Sequence, residues 1–283
     1  SRPTYTETEN DLTVKANKRT FIFSKKDGQL KGVSVDNRKI NFANGPRFIG
    51  ARRADRSLDQ FYNHDDEKAK EKDRTYSEFP DAAVFTKLDV KEDGGDLVVT
   101  ANYKLGNLDK AQWTINPSGE LALDYTYNFS GVVDLMGIRF DYPEDQVISK
   151  RWLGAGPYRV WQNRIHGTQY DVWENDYNDP IPGETFTYPE FKGYFGDVSW
   201  MNIQTKEGTI SLTNETPDAY IGVYQPRDGR DRLLYTLPES GISVLNVIPP
   251  VRNKVNSTDL CGPSSQPKWV NGPQTGRVIF RFM

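Results

Sequence analysis

Few side chains in this sequence of 283 residues could act as nucleophiles or metal ligands. It contains two histidines, His64 and His166, and one cysteine, Cys261. A serine or cysteine nucleophile needs a histidine base, and no Gly-x-Ser-x-Gly segment marks a nucleophile elbow. No histidine pair has metal-ligand spacing, and a single cysteine excludes a cysteine-based zinc site. We therefore expect no cofactor and assign no catalytic residue to this chain.

Carboxylates offer two further possibilities. Glu215 follows Asn214 after an alternating segment, and many retaining glycosidases carry an acid/base glutamate after an asparagine. The flanking residues predict a hairpin loop rather than the end of a barrel strand, which argues against that role. A separate acidic loop could bind calcium through oxygen ligands or be a solvated loop; its carboxylates are Asp171, Glu174, Asp176 and Asp179.

Aromatic side chains are concentrated between residues 158 and 200, interleaved with polar ones. Rings of this kind can stack on the CH faces of sugars, although most of them are expected to fill a core. The segment 175–191, rich in Pro, Asp, Asn and Tyr, predicts a long functional loop. Trp269 lies between Pro267 and the Gly272-Pro273 pair, so we expect an exposed, ligand-facing ring in a loop.

The elements that position these residues are predicted to be strands. Period-two alternation recurs along the chain, and segments such as Asp27-Gly28 and 116–119 supply turns between alternating stretches. Helical periodicity is nearly absent; residues 65–74 are charged almost throughout and predict an exposed loop. This pattern predicts an all-β fold, a large antiparallel sandwich with little helix.

Composition and length limit the possible partners and the domain organisation. The 36 Lys and Arg against 39 Asp and Glu give a net charge of −3, which argues against binding nucleic acid by bulk charge. No apolar run reaches the length of a membrane span, so no membrane partner is expected. We predict an N-terminal extension at residues 1–11 and a single sandwich domain over residues 12–283.

Six segments, in the same order along the chain, resemble motifs of one enzyme family. They include a Gly-Pro-Arg at residues 45–47 and a Gly-x-Gly-Pro at 154–157. The segments are residues 20–35, 45–55, 135–140, 152–164, 189–200 and 262–269. Together they are similar to the C-terminal sandwich, or small-chain, domain of the family 2 β-galactosidases. At three positions the sequence departs from the family, with Arg159, Trp161 and Asn163 replacing Glu, Tyr and Asp. The changes at Arg159 and Asn163 leave the galactose specificity of the family open for this chain.

The resemblance implies a galactose mutarotase-like super-sandwich that completes the sugar pocket of a separate catalytic barrel. In the family, a tryptophan from the sandwich lines that pocket, and Trp269 matches its position. The expected partners are carbohydrate and the barrel of a bacterial, periplasmic or secreted enzyme. The candidate sugar-contacting residues lie in the matched segments or just after them; they are Arg52, Asp55, Trp161, Arg164, His166 and Trp269.

Two alternatives remain open. The chain could be a free-standing carbohydrate-binding module that uses the aromatic residues between 158 and 200. It could also be a mutarotase-like or lyase-like enzyme on the same fold. That chemistry would need His166 with Glu190 or Glu215 as acid and base, since histidine is the natural proton shuttle near neutral pH.

Overall fold

A computed structural model describes residues 1–53, 76–177, 192–224, 237–251 and 262–283 of the chain. Within these ranges the chain forms nineteen β-strands and two single-turn 3-10 helices, at Glu144–Gln146 and Pro263–Ser265. No helix in this described part is long and apolar enough to cross a membrane. The all-β fold predicted from the alternation is confirmed.

The strands of the described residues form two antiparallel sheets. The first sheet runs in the order β1-β2-β3-β4-β6-β12-β18-β17, with β5 added to β4 and β7 added to β6. Its strands are β1 (Thr4–Glu7), β2 (Asp11–Ala16), β3 (Arg19–Ser24), β4 (Leu30–Val35), β5 (Arg38–Ile40), β6 (Ala43–Arg53), β7 (Tyr76–Glu78), β12 (Leu135–Asp141), β17 (Tyr220–Val223) and β18 (Ile242–Val247).

The second sheet runs in the order β14-β13-β15-β16-β19-β11-β10-β9-β8. Its strands are β8 (Val84–Asp93), β9 (Asp96–Lys104), β10 (Leu108–Ile115), β11 (Leu121–Val133), β13 (Val147–Gly156), β14 (Gln169–Asp176), β15 (Trp200–Thr205), β16 (Gly208–Asn214) and β19 (Lys268–Phe282). The last strand, β19, pairs with β11 over residues 268–280 and with β16 over residues 278–282, so it lies in the interior of the sheet where the two pairings overlap.

The main core lies between the two sheets, where alternate side chains of each strand meet. Strand β10 shows the pattern: Ala111, Trp113 and Ile115 are buried, while the residues between them are partly exposed. Rings from both sheets interlock in this core, with Phe42 and Phe140 stacked at 4.8 Å and Phe140 edge-on to Phe280 at 5.3 Å. The high aromatic content predicted to fill a sandwich therefore does so.

A second apolar cluster covers the outer face of the first sheet. Along β6, Phe48 belongs to the main core, whereas its neighbours Ile49 and Ala51 belong to this second cluster. Trp161 and Tyr194 pack against it from segments outside the sheet, so both faces of β6 are buried. The consequence is that residues 48–51 of β6 form a short continuous apolar run rather than an alternating one.

Several predicted turns and segments can now be compared with the structure. The Asp27-Gly28 turn joins β3 to β4, with Gly28 at φ +73°, a left-handed conformation that glycine adopts at little cost. Within the predicted extension 1–11, Thr4–Glu7 forms a strand that pairs with β2, and the division at residue 12 stays a prediction. Asp55, Asp179, Glu190 and the segment 65–74 lie outside the described residues.

The acidic residues predicted to form a loop lie largely in a strand. Asp171, Glu174 and Asp176 belong to β14, so the loop prediction is wrong for residues 171–176. Successive side chains of a strand point to opposite faces, which places Asp171 opposite Glu174 and Asp176. In the described part of the chain, no three His, Cys, Asp or Glu side chains lie close enough to hold a metal ion.

Candidate functional site

A buried carboxylate organises one end of the sandwich. Asp134 is the single residue between β11 and β12 and has no exposed surface. Its Oδ2 accepts a hydrogen bond of 2.9 Å from the backbone N–H of Arg53, and its own N–H donates to the carbonyl of Ala51 at 2.9 Å. These bonds fix the end of β6, which carries the exposed Arg52, against the start of β12. The sequence signal for such a carboxylate is an acidic residue between two apolar strand segments, yet Asp134 is not among the candidates chosen from the sequence.

The segment after β13 packs over the outer face of the first sheet. Val160 and Tyr194 exchange two backbone hydrogen bonds of 2.7 Å, and the ring of Trp161 meets Tyr194 edge-on at 5.8 Å. Trp161 has no exposed surface because it fills the second apolar cluster. The ring is therefore not accessible to a ligand in this structure, contrary to its choice as a sugar-contacting residue. Burial raises the pKa of Tyr194, although the Arg159 guanidinium acts in the opposite direction, so this phenol stays neutral.

Two amides tie this segment to the stretch that leads into β19. The side chain of Gln162 donates to the carbonyls of Ser264 and Gln266, at 2.5 and 2.8 Å. Asn163 makes three bonds: its Nδ2 donates to the carbonyl of Val251 at 2.7 Å and to Ser265 Oγ at 3.0 Å, and its Oδ1 accepts from the Val251 N–H at 2.9 Å. The chain approaching Trp269 is thus fixed by side chains about 100 residues earlier. In the sequence, Asn163 stands out only as a departure from a family motif.

Trp269 is the second residue of β19 and faces outward. It pairs with Val132 on β11, so its placement in a loop is wrong, whereas its predicted exposure is confirmed at 73%. On the same face, Asn271 Oδ1 accepts a hydrogen bond of 2.9 Å from Ser130 Oγ. A large exposed ring next to short polar side chains, on a regular strand rather than a loop, offers a fixed stacking surface.

The structure brings the main-chain segments that carry most of the candidate residues to the same end of the sandwich, which we call the Trp269 end. It comprises Arg53, Asp134, Asn163, Ser265 and Trp269. Arg164 follows Asn163 directly and is exposed, as is His166, whose carbonyl accepts the hydroxyl of Tyr158 at 3.0 Å.

The carboxylate considered for catalysis is engaged elsewhere. Glu215 pairs with Arg277, whose Nε lies 3.0 Å from Oε2, and Arg277 also contacts Asp124. Within the described residues the His166 side chain makes no hydrogen bond or ion pair, with Glu215 or any other group. Among the residues that the structure describes, no acid and base are brought together around His166, and Glu190 lies outside them.

Asn163→Asp is expected to destabilise the isolated chain by about 2 kcal/mol at neutral pH, because the new carboxylate oxygen faces the Val251 carbonyl with no proton to donate. The deficit should shrink as the pH falls from about 6 to about 4, because the interaction that disfavours the carboxylate raises the pKa of the new carboxyl group in the folded chain above its unfolded value near 4, and the protonated group donates again. Thermal unfolding across pH measures both effects.

The matched control is Asn128→Asp, which adds the same charge at an exposed position of β11. It should change the unfolding temperature little at any pH. Equal destabilisation by the two variants would show that net charge, and not the Asn163 hydrogen bonds, is responsible.

Known proteins resemble this chain in sequence family and in fold. The family model described as the beta galactosidase small chain matches residues 15–254. No curated protein sequence matches the chain.

Solved structures share the fold at very low identity. Galactose 1-epimerase from Lactobacillus acidophilus is 9% identical, with a TM-score of 0.50 over 100% of this chain and 98% of its own. A galactose mutarotase-like protein from Lactobacillus casei is 10% identical, with a TM-score of 0.44 over 99% and 100% of the two chains. An alpha-N-acetylgalactosaminidase from Bifidobacterium bifidum is 9% identical, with a TM-score of 0.43; the match covers 96% of this chain and 36% of that enzyme. At these identities the likeness shows the galactose mutarotase-like fold alone.

Proposed function

The chain belongs to the beta-galactosidase small-chain family, and we propose that it is the C-terminal accessory domain of a family 2 β-galactosidase-like enzyme. In this role it packs on a catalytic barrel and completes a sugar pocket with the ring of Trp269. The matching family model covers most of the chain and agrees with the resemblance seen in the sequence. The sugar, the barrel and the role of Trp269 are the parts that we propose.

The observation that carries this proposal is the exposed, well-supported ring of Trp269. At 73% exposed, the Trp269 ring has little contact with its own domain, and tryptophan is enriched at binding surfaces because its ring combines an apolar face with a polar N–H group. Asn163 and Ser265 hold the chain just before it, so the ring would meet a sugar without first having to be ordered. Asn271 and Ser130 beside it supply hydroxyl and amide groups that suit sugar hydroxyls.

The carboxylates indicate which role each of the two domains has. Glycoside hydrolysis needs two carboxyl groups facing each other across the scissile bond. Glu215 is instead engaged in an ion pair with Arg277. We therefore assign both catalytic carboxylates to the barrel and assign only binding to this domain.

Reconstitution tests the proposal. The chain and the catalytic polypeptide encoded with it are produced separately, mixed, and assayed with a nitrophenyl β-galactoside. We expect no turnover by the chain alone, co-elution of the two polypeptides on size exclusion, and turnover that depends on the mixture. Hydrolysis by the isolated chain, or full activity of the catalytic polypeptide without association, would refute it.

The same preparations test the alternatives. A mutarotase-like enzyme would interconvert galactose anomers in polarimetry and lose that activity in His166→Ala. A free-standing module would bind oligosaccharides through the aromatic residues between 158 and 200, of which Tyr170 is 58% exposed, whereas Trp161 is fully buried. We expect neither anomer interconversion nor a dependence on Tyr170.

A further inference from the structure

A polar cleft of about 770 Å³ opens at the end of the first sheet opposite the Trp269 end. Ala43 and Asp141, the first residue of β6 and the last of β12, form a pair at its edge, whereas Trp269 lies near the other ends of these strands. Its volume falls within the range of small-ligand sites. The described residues that line the cleft lie mainly around the start of β6, around the end of β12, and in the segments that flank β17 and β18. They are Lys31, Lys39, Asn41, Ala43, Asn44, Asp141, Tyr142, Pro143, Glu144, Tyr224, Glu239, Ser240 and Gly241.

Two of the five charged side chains among the described residues that line the cleft form ion pairs within the protein. Lys31 pairs with Asp11 at 2.5 Å, and Asp141 pairs with Arg47 and accepts Asn44 Nδ2 at 2.8 Å. The hydroxyl of Tyr142 donates to Glu207 at 2.8 Å. The cleft therefore presents no strong field of either sign, which disfavours an ionic ligand.

Three polar side chains of the lining remain without a partner in the described part of the chain. The ammonium of Lys39, the carboxylate of Glu239 and the hydroxyl of Ser240 make no hydrogen bond or ion pair there. Ser240 is only 5% exposed as a residue, but its hydroxyl oxygen stays accessible at the wall of the cleft. The set combines a donor, an acceptor and a group that can be either.

Two residues at this end have left-handed backbone conformations, and one of them is not a glycine. Tyr224 has φ +60° and Gly241 has φ +50°, and the Tyr224 N–H donates to the Gly241 carbonyl at 2.8 Å. A tyrosine in the left-handed region carries strain, and such residues concentrate at ligand-binding sites. The bond between these two residues shapes one wall of the cleft.

We propose that this cleft is a second carbohydrate-binding site, for a neutral oligosaccharide, and that it acts independently of the catalytic partner. Each sugar hydroxyl donates and accepts hydrogen bonds, so adjacent hydroxyls can satisfy Lys39, Glu239 and Ser240 together. A simple anion would satisfy Lys39 and Ser240 but would be repelled by the carboxylate of Glu239. The half-buried ring of Tyr224 supplies an apolar surface beside these groups.

Titration of the isolated chain with lactose, galactotriose and cellotriose, followed by calorimetry and by chemical shifts, tests the site. We expect saturable binding of at least one sugar that weakens about tenfold in the Lys39→Ala/Glu239→Ala double variant. Ala43→Trp, which places a large ring at the edge of the cleft, should abolish it. Lys104→Ala, at an exposed position of β9 in the other sheet, should leave it unchanged.

The outcomes separate this site from the proposed function. Binding that survives Trp269→Ala but is lost in the cleft variants supports the proposal, as does normal reconstitution of hydrolysis by those variants. Absence of binding by all three sugars, or binding unchanged in both cleft variants, would overturn it. If the wild-type chain failed to restore hydrolysis, the accessory role would be refuted. The cleft proposal would then still be decided by the sugar titration of the isolated chain.

Discussion

Gly137→Ala is expected to lower the free energy of unfolding by about 3 kcal/mol, the upper part of the usual range for overpacked positions. Gly137 lies in β12, between β6 and β18. A Cβ atom at this position would lie 2.1 Å from the carbonyl oxygen of Val244 and 2.7 Å from the Cα of Leu245. Both atoms belong to the main chain, so no side-chain rotation can relieve the clash.

The close approach results from a bulge in the pairing of β12 with β18. Met136 pairs with Val247 while Gly137 pairs with Leu245, which leaves Asn246 as the extra residue. Asn246 accepts the hydroxyl of Tyr127 from the second sheet, so the bulge also joins the two sheets. Displacing β18 to admit a methyl group would disturb that contact as well as the ladder.

Thermal or denaturant unfolding of the isolated chain measures the effect, with an expected drop in the melting temperature of roughly 6–12 °C. Gly32→Ala is the matched control, because Gly32 lies in β4 of the same sheet. A Cβ there would meet only the Ile22 side chain, at 3.4 Å or more. Gly32→Ala should be close to neutral, and a similar loss in both variants would show that strand glycines are sensitive for another reason.

The turns and the fold class were predictable because their signals are local. Alternation over residues 121–129 predicted a strand that the structure extends to Leu121–Val133, and the Asp27-Gly28 pair predicted the turn between β3 and β4. Local signals failed at Trp269, where Gly272 and Pro273 suggested a loop. The strand tolerates Pro273 because β16 pairs only with residues 278–282 of β19, so Pro273 has a partner on one side only, Asn128 of β11. Which stretch of a strand is an edge depends on contacts distant in sequence.

The candidate site was only partly predictable for a related reason. Trp161 looked like a sugar-stacking ring, since it stands among polar residues in a segment rich in Gly and Pro. Its burial depends on the second apolar cluster, which adds a layer outside the sandwich that a two-sheet prediction does not contain. Asn163 and Asp134 act through hydrogen bonds to residues about 80 to 100 positions away, which a single sequence does not indicate.

Trp269→Ala is expected to raise the KM of the reconstituted enzyme for its sugar substrate about tenfold, on the order of 1.4 kcal/mol, with a smaller effect on kcat. A stacking surface that contacts the sugar throughout the reaction stabilises substrate and transition state alike, so its loss appears mainly in KM. The stability of the isolated chain should hardly change, because a ring that is 73% exposed contributes little to the fold.

Two further variants make this prediction specific to stacking by the ring of Trp269. Trp269→Phe keeps an aromatic face on the same strand and should recover most of the lost affinity. Tyr170→Ala removes another exposed ring, on β14, and should leave KM unchanged. If Trp269→Ala instead prevented association with the catalytic polypeptide, the ring would belong to the interface between domains. An unchanged KM together with intact association would exclude Trp269 from both roles, and the Asn163 and Ser265 contacts would then support the strand alone.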